Sequence, residues 1–162
     1  MQLELDAERW HVINDRVMGG RSRSEVRKLQ PSLIFSGELS LENNGGFASA
    51  RCRFQDDFDG ITGFRLDVRG DGRDYQFRLR ESEASGAVAW RADFPSDGSR
   101  QVIDLPLEAF RPVIRGRRVS SAGELRPSSI RLLGFMLADR QSGPFTLEVH
   151  SIEPLRQNDG PA

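Results

Sequence analysis

An all-β fold, a sandwich or barrel of short strands, is what this sequence predicts, and three observations predict it. Apolar and polar residues alternate with period two through most of the chain. Turn-forming clusters of Gly, Pro, Asn and Asp recur at short spacing. The apolar periodicity of an amphipathic helix is nearly absent. A length of 162 residues suits one domain that can bury its own core. That domain is expected over residues 1–154, with a polar, frayed tail over residues 155–162.

The segment "WHVINDRVMGGRS", Trp10 to Ser22, reads as a shaped turn. Adjacent glycines permit positive φ or close approach, and Asn-Asp favours local side-chain to backbone bonds. Strands are then expected at Ser22–Leu29, Ser32–Leu41, Gly46–Phe54, Gly60–Arg69, Asp74–Glu81, Val88–Phe94, Arg100–Leu105, Ser128–Ala138 and Pro144–Ile152. The punctuation between them is strong: Gln30-Pro31, Asn43 to Gly46, Asp56 to Gly60, Gly70-Asp71-Gly72 and Pro95 to Gly98. "LPLEAF", Leu105 to Phe110, suits one short helical turn, and "FRPVIRGRRV", Phe110 to Val119, reads as a loop that gathers four arginines.

Within the strands the faces separate cleanly. Ala48, Ala50, Cys52 and Phe54 oppose Ser49, Arg51 and Arg53; Phe64, Leu66 and Val68 oppose Arg65, Asp67 and Arg69. Tyr75, Phe77 and Leu79 oppose Gln76, Arg78 and Arg80, and Trp90, Ala92 and Phe94 oppose Arg91 and Asp93. If these strands are neighbours, one sheet has an apolar inner face and a solvent-accessible outer grid carrying Arg51, Arg65, Asp67, Arg78 and Arg80. The grid reads either as cross-strand ion pairs on a wet face or as a shallow surface for anions and polar ligands.

Composition excludes several classes. The net charge is −1, with 24 acidic residues against 23 basic ones, of which only Lys28 is lysine. No block is basic enough for a nucleic-acid arm. The single Cys52 cannot form an internal disulfide, which suits a reducing compartment. No stretch resembles a signal peptide or a membrane span, so a cytoplasmic protein is expected. There is no GxSxG elbow, no Walker loop and no dinucleotide fingerprint, and His11 and His150 lack neighbouring ligands. "QDDFDG" lacks EF-hand spacing and reads as an acidic turn. No catalytic residue, cofactor or metal is expected.

Several linked motifs nevertheless share one resemblance. "NDRVMGGRSRS", "FSGELSLENNGGFASAR", "RGDGRDYQFRLR", "FRPVIRGRRV" and "IRLLGFMLADRQSGPFTLEVHSI" together resemble the complex I intermediate-associated protein 30 family over nearly the whole chain. That resemblance implies a galactose-binding-domain-like jelly roll, a β-sandwich of two antiparallel sheets. It also implies a role by protein–protein contact, since mitochondrial members are assembly factors for respiratory complex I. The short chain is most like bacterial stand-alone members.

The family signature and its second wall, "GGFASxR", imply a polar cluster of Asn14, Asp15, Ser22, Ser24, Ser49 and Arg51, covered by Trp10 and Phe47. Asp15 and Arg51 could satisfy one another as a charge-assisted pair. Such a cluster either fastens the N-terminal segment to a sheet or binds a partner loop or small polar ligand. The expected function is a non-catalytic protein-binding module. The alternative is a module for a small polar ligand or carbohydrate.

Overall fold

A computed structural model describes residues 2–29, 31–84, 86–120, 123–157 and 160. Its strands are β1 (His11–Asn14), β2 (Arg23–Leu29), β3 (Ser32–Leu39), β4 (Ala48–Arg53), β5 (Gly63–Arg69) and β6 (Tyr75–Arg80), followed by β7 (Ala89–Phe94), β8 (Arg100–Pro106), β9 (Arg111–Ile114), β10 (Arg117–Arg118), β11 (Leu132–Leu137) and β12 (Gly143–Leu155). The only helical pieces among the described residues are short 3-10 turns, one of them at Leu107–Ala109 inside the expected "LPLEAF" turn.

Alternation resolves into a jelly-roll sandwich. A seven-stranded sheet has the order β1-β4-β11-β6-β7-β9-β10, and a five-stranded sheet has the order β2-β3-β12-β5-β8. Every pairing is antiparallel. Apolar faces meet between the sheets, where Phe64 packs edge-on against Phe77 at 5.3 Å and Phe77 lies 5.2 Å from Phe135. Each such buried ring stabilises the fold by about 1.5–3 kcal/mol relative to exposure.

Three expectations change. The segment read as pure turn begins with β1, which pairs with β4 from His11↔Arg51 to Asn14↔Ala48. The arginine-rich "loop" is the hairpin β9–β10, turned by Arg115 at φ 50 and Gly116 at φ 79. Its polarity hid it, because this edge hairpin presents Arg111, Arg117 and Arg118 to solvent. The charged grid is divided as well: Arg65 and Asp67 lie on β5 in the five-stranded sheet, whereas Arg51, Arg78 and Arg80 lie on β4 and β6 in the other. Period two tells which residues share a face, not which sheet a strand joins.

At the C-terminal end, β12 runs through Leu155 and pairs Pro154 with Phe64. Of the expected tail, residues 158, 159, 161 and 162 lie outside the described residues.

Candidate functional site

Strands β1 and β2 are edge strands of opposite sheets, and the signature segment joins them. After Asn14 the chain winds into a 3-10 turn, Asp15–Met18, stopped by Gly19 at φ 87, a conformation that disfavours any side chain. The carboxylate of Asp15 then turns inward and is 0% exposed. Oδ1 accepts the Ser22 amide at 2.9 Å, while Oδ2 accepts the Ser22 hydroxyl at 2.6 Å and the Gly46 and Phe47 amides at 2.7 and 3.3 Å. A buried charge needs such a shell.

The glycines of the motif are explained by that carboxylate. A Cβ on Gly20 would fall 2.4 Å from Asp15 Cγ, and one on Gly45 would fall 2.5 Å from Oδ2. Neither position has room for a side chain. Burial raises the Asp15 pKa, but the bonds from the Ser22 hydroxyl and from the Gly46, Ser22 and Phe47 amides outweigh it and hold the carboxyl below its ordinary value.

A second set of bonds lies beside the first. Asn14 Oδ1 accepts the Ser24 hydroxyl at 2.7 Å and the Ser49 amide at 3.2 Å, and the Ser49 hydroxyl donates to the Ile13 carbonyl. Asn14, Asp15, Ser22, Ser24 and Ser49 thus form a clasp across the sandwich edge.

Two members of the expected cluster stand elsewhere. Arg51 does not pair with Asp15, because its side chain points to the outer face of the seven-stranded sheet and its Nε is buried without a hydrogen-bond partner. Trp10 is not a lid over the clasp. It lies at the far end of β1 in the core, stacked on Phe135 at 6.0 Å and edge-on to Phe54 at 6.4 Å. Phe47 remains beside the clasp, half-buried, with its amide on Asp15.

What the clasp exposes was not foreseen. Val17 is 75% and Met18 64% exposed, with Leu41 at 43% across the turn. Alongside runs a groove of about 910 Å³ whose lining includes Arg16, Arg23, Glu38, Leu41 and Asn43. The sequence signal was present, since Val17 and Met18 interrupt a polar turn.

The charged residues fare differently on the two sheets. Arg65 and Asp67 are committed to β8: Arg65 Nε bonds Asp104 Oδ1 at 2.7 Å, and Asp67 takes two 2.8 Å bonds from Arg100. Arg78 and Arg80 are half-buried rather than solvent-accessible. Arg80 bonds the Ser82 and Ala84 carbonyls at 3.1 and 2.9 Å. Burial first, then Arg80, Arg91 and Arg51, push the Arg78 pKa down to about 10.

Ser32 Oγ and His150 Nδ1 lie 2.6 Å apart, with Glu148 3.4 Å from Nε2. Ser32 as a whole is 5% exposed. Among the described residues no three His, Cys, Asp or Glu side chains gather to hold a metal, and no helix is long and apolar enough to cross a membrane.

Comparison with known proteins bears on this geometry. The family profile of complex I intermediate-associated protein 30 matches residues 2–149. An uncharacterized protein of Schizosaccharomyces pombe is 28% identical, covering 93% of this chain and 82% of its own. The mitochondrial complex I intermediate-associated protein 30 of Mus musculus is 26% identical over 91% of this chain, which spans only 52% of that relative. Among solved structures, the family 11 carbohydrate-binding module of a Clostridium thermocellum cellulase superposes with a TM-score of 0.67 at 16% identity, covering 98% of both chains. A family 29 carbohydrate-binding module reaches 0.52 at 10% identity, covering 91% of this chain and 92% of its own. At such identities the likeness is one of fold.

Proposed function

Because the chain belongs to the complex I intermediate-associated protein 30 family, we propose that it is a non-catalytic protein-binding module acting through contact with another protein. One observation carries this reading: Val17 and Met18 are 75% and 64% exposed on a turn whose root, Asp15, is fully buried. Two apolar side chains in water contribute nothing to the fold, yet four hydrogen bonds to Asp15 fix the turn that presents them. Docking would bury each for about 1–3 kcal/mol, and a fixed turn loses little freedom in doing so. Arg16 and Arg23 line the groove near this ledge together with Glu38 and with Glu42, which pairs with Arg21 at 3.6 Å, so a partner would meet charges of both signs around the apolar contact.

The carbohydrate alternative has weaker support. Sugar stacking uses exposed aromatic faces, but Trp10, Tyr75 and Trp90 are 7%, 0% and 8% exposed. The large apolar side chains exposed among the described residues are all aliphatic or Met. The association with a complex I intermediate in the mouse relative's name extends to this chain only as part of this proposal.

Affinity capture from the native cell with wild type and with a Val17→Ser, Met18→Ser double variant tests the reading. Specific proteins should be retained by wild type and lost by a variant with an unchanged melting temperature. Equal retention by both, or elution by a neutral oligosaccharide, would overturn it.

A further inference from the structure

The outer face of the seven-stranded sheet carries a different kind of unfinished chemistry. Register places Arg51 on β4, Gly134 on β11 and Arg78 on β6 side by side in one row. Neighbouring strands are about 4.8 Å apart, so the backbones of the two arginines stand roughly 10 Å apart with Gly134 between them. That position stays bare: a Cβ on Gly134 would fall 2.7 Å from the Ala50 carbonyl and 2.9 Å from Arg51 Cβ.

Three polar atoms on this face are buried without a hydrogen-bond partner: Arg51 Nε, Arg78 Nε and Gln76 Oε1. Gln76 is only 6% exposed and stands two residues along β6 from Arg78, on the same face. Of the nearby charges, Glu83 attracts Arg51 and Arg80 through space but leaves the Arg51 Nε unbonded. Asp93 is held by Arg91 at 2.7 and 3.0 Å, and Arg80 is spent on loop carbonyls. Arg78 Nη1 rests on the Met136 sulfur, a weak acceptor that a ligand oxygen readily replaces. Buried polar groups are almost always paired, so three orphans on one face call for a ligand with complementary groups.

We propose that this face binds a small ligand carrying an oxyanion next to hydroxyl groups, such as a phosphorylated or carboxylated sugar. The oxyanion bridges Arg51 and Arg78 over Gly134, where each planar guanidinium offers donors in a fixed fork. Gln76 Oε1 is an acceptor and takes a hydroxyl proton. The site is separate from the Val17–Met18 ledge and does not depend on its role.

Calorimetry with glucose 6-phosphate, glucuronate, inorganic phosphate and glucose tests the proposal, with Arg51→Met and Arg78→Met as variants. Glucose 6-phosphate or glucuronate should bind at least tenfold more tightly than glucose or inorganic phosphate, and each variant should weaken that binding at least tenfold. The two probes separate a phosphoryl from a carboxylate ligand. Without ligand, Arg78→Met should melt no lower than wild type, because it removes a buried charge that lacks a carboxylate partner. Failure of both acidic sugars to bind, equal binding of glucose, or binding untouched by the Arg51→Met change would overturn the site.

Discussion

Ser22 grips Asp15 twice, its amide on Oδ1 at 2.9 Å and its hydroxyl on Oδ2 at 2.6 Å, and neither residue is exposed. The same hydroxyl oxygen accepts the Ser40 amide at 2.9 Å. One carboxylate therefore ties the turn after β1 to the end of β3 and the start of β4.

Asp15→Ala should cost at least about 3 kcal/mol, since it strands several buried donors at about 1–3 kcal/mol each. Urea unfolding against wild type checks this. A loss under about 1 kcal/mol would mean that water refills the clasp.

Arg51→Met should neither rescue nor worsen Asp15→Ala, because the two side chains share no bond. A double-mutant cycle should close within about 0.5 kcal/mol. A larger coupling would restore the direct pair that the sequence suggested.

The adjacent glycines should differ for separate reasons. Gly19→Ala meets open space but keeps φ at 87°, a strain of about 1–2 kcal/mol. Gly20→Ala places a methyl 2.4 Å from the Asp15 carboxylate carbon, so it should cost more. Thermal melting of the pair gives the order.

Acid should loosen the clasp. The Asp15 carboxyl is held below its ordinary value, and so is Asp139, where burial opposes but the Arg73 side-chain bond and further bonds prevail. The unfolded chain therefore takes up these protons first, near pH 4. Both contributions are complete above that pH and fade as the pH falls through it toward the lower folded values. Urea midpoints from pH 7 to pH 3 should drop for wild type and drop less for Asp15→Ala; parallel curves would remove Asp15 from the acid response.

Much of this was legible in residue order. Alternation in "FASARCRF" and "DYQFRLRE" marked β4 and β6 and their inner faces. Asn14, Asp15, Ser22, Ser24 and Ser49 are short polar side chains with little to do except satisfy backbone nearby, and the structure brings them together. The partner of Asp15 was not legible. Formal charge pointed to Arg51, but the four donors are the Ser22 hydroxyl and three backbone amides, and amides leave no mark in a sequence. Nor could β5 be assigned to a sheet, since Arg65 and Arg78 have the same local pattern and only the crossovers separate them.

Strand β12 lies between β3 and β5 and is hydrogen-bonded to both, while near the N-terminus the Leu3 amide reaches the Ile152 carbonyl at 2.8 Å. During synthesis, then, the five-stranded sheet waits for residues 143–155 to leave the ribosome. Until they do, β3 and β5 each show an open edge able to pair with another chain. The nascent chain is thus most prone to aggregate before residues 143–155 emerge, and truncation after Glu148 would remove about half of this central strand.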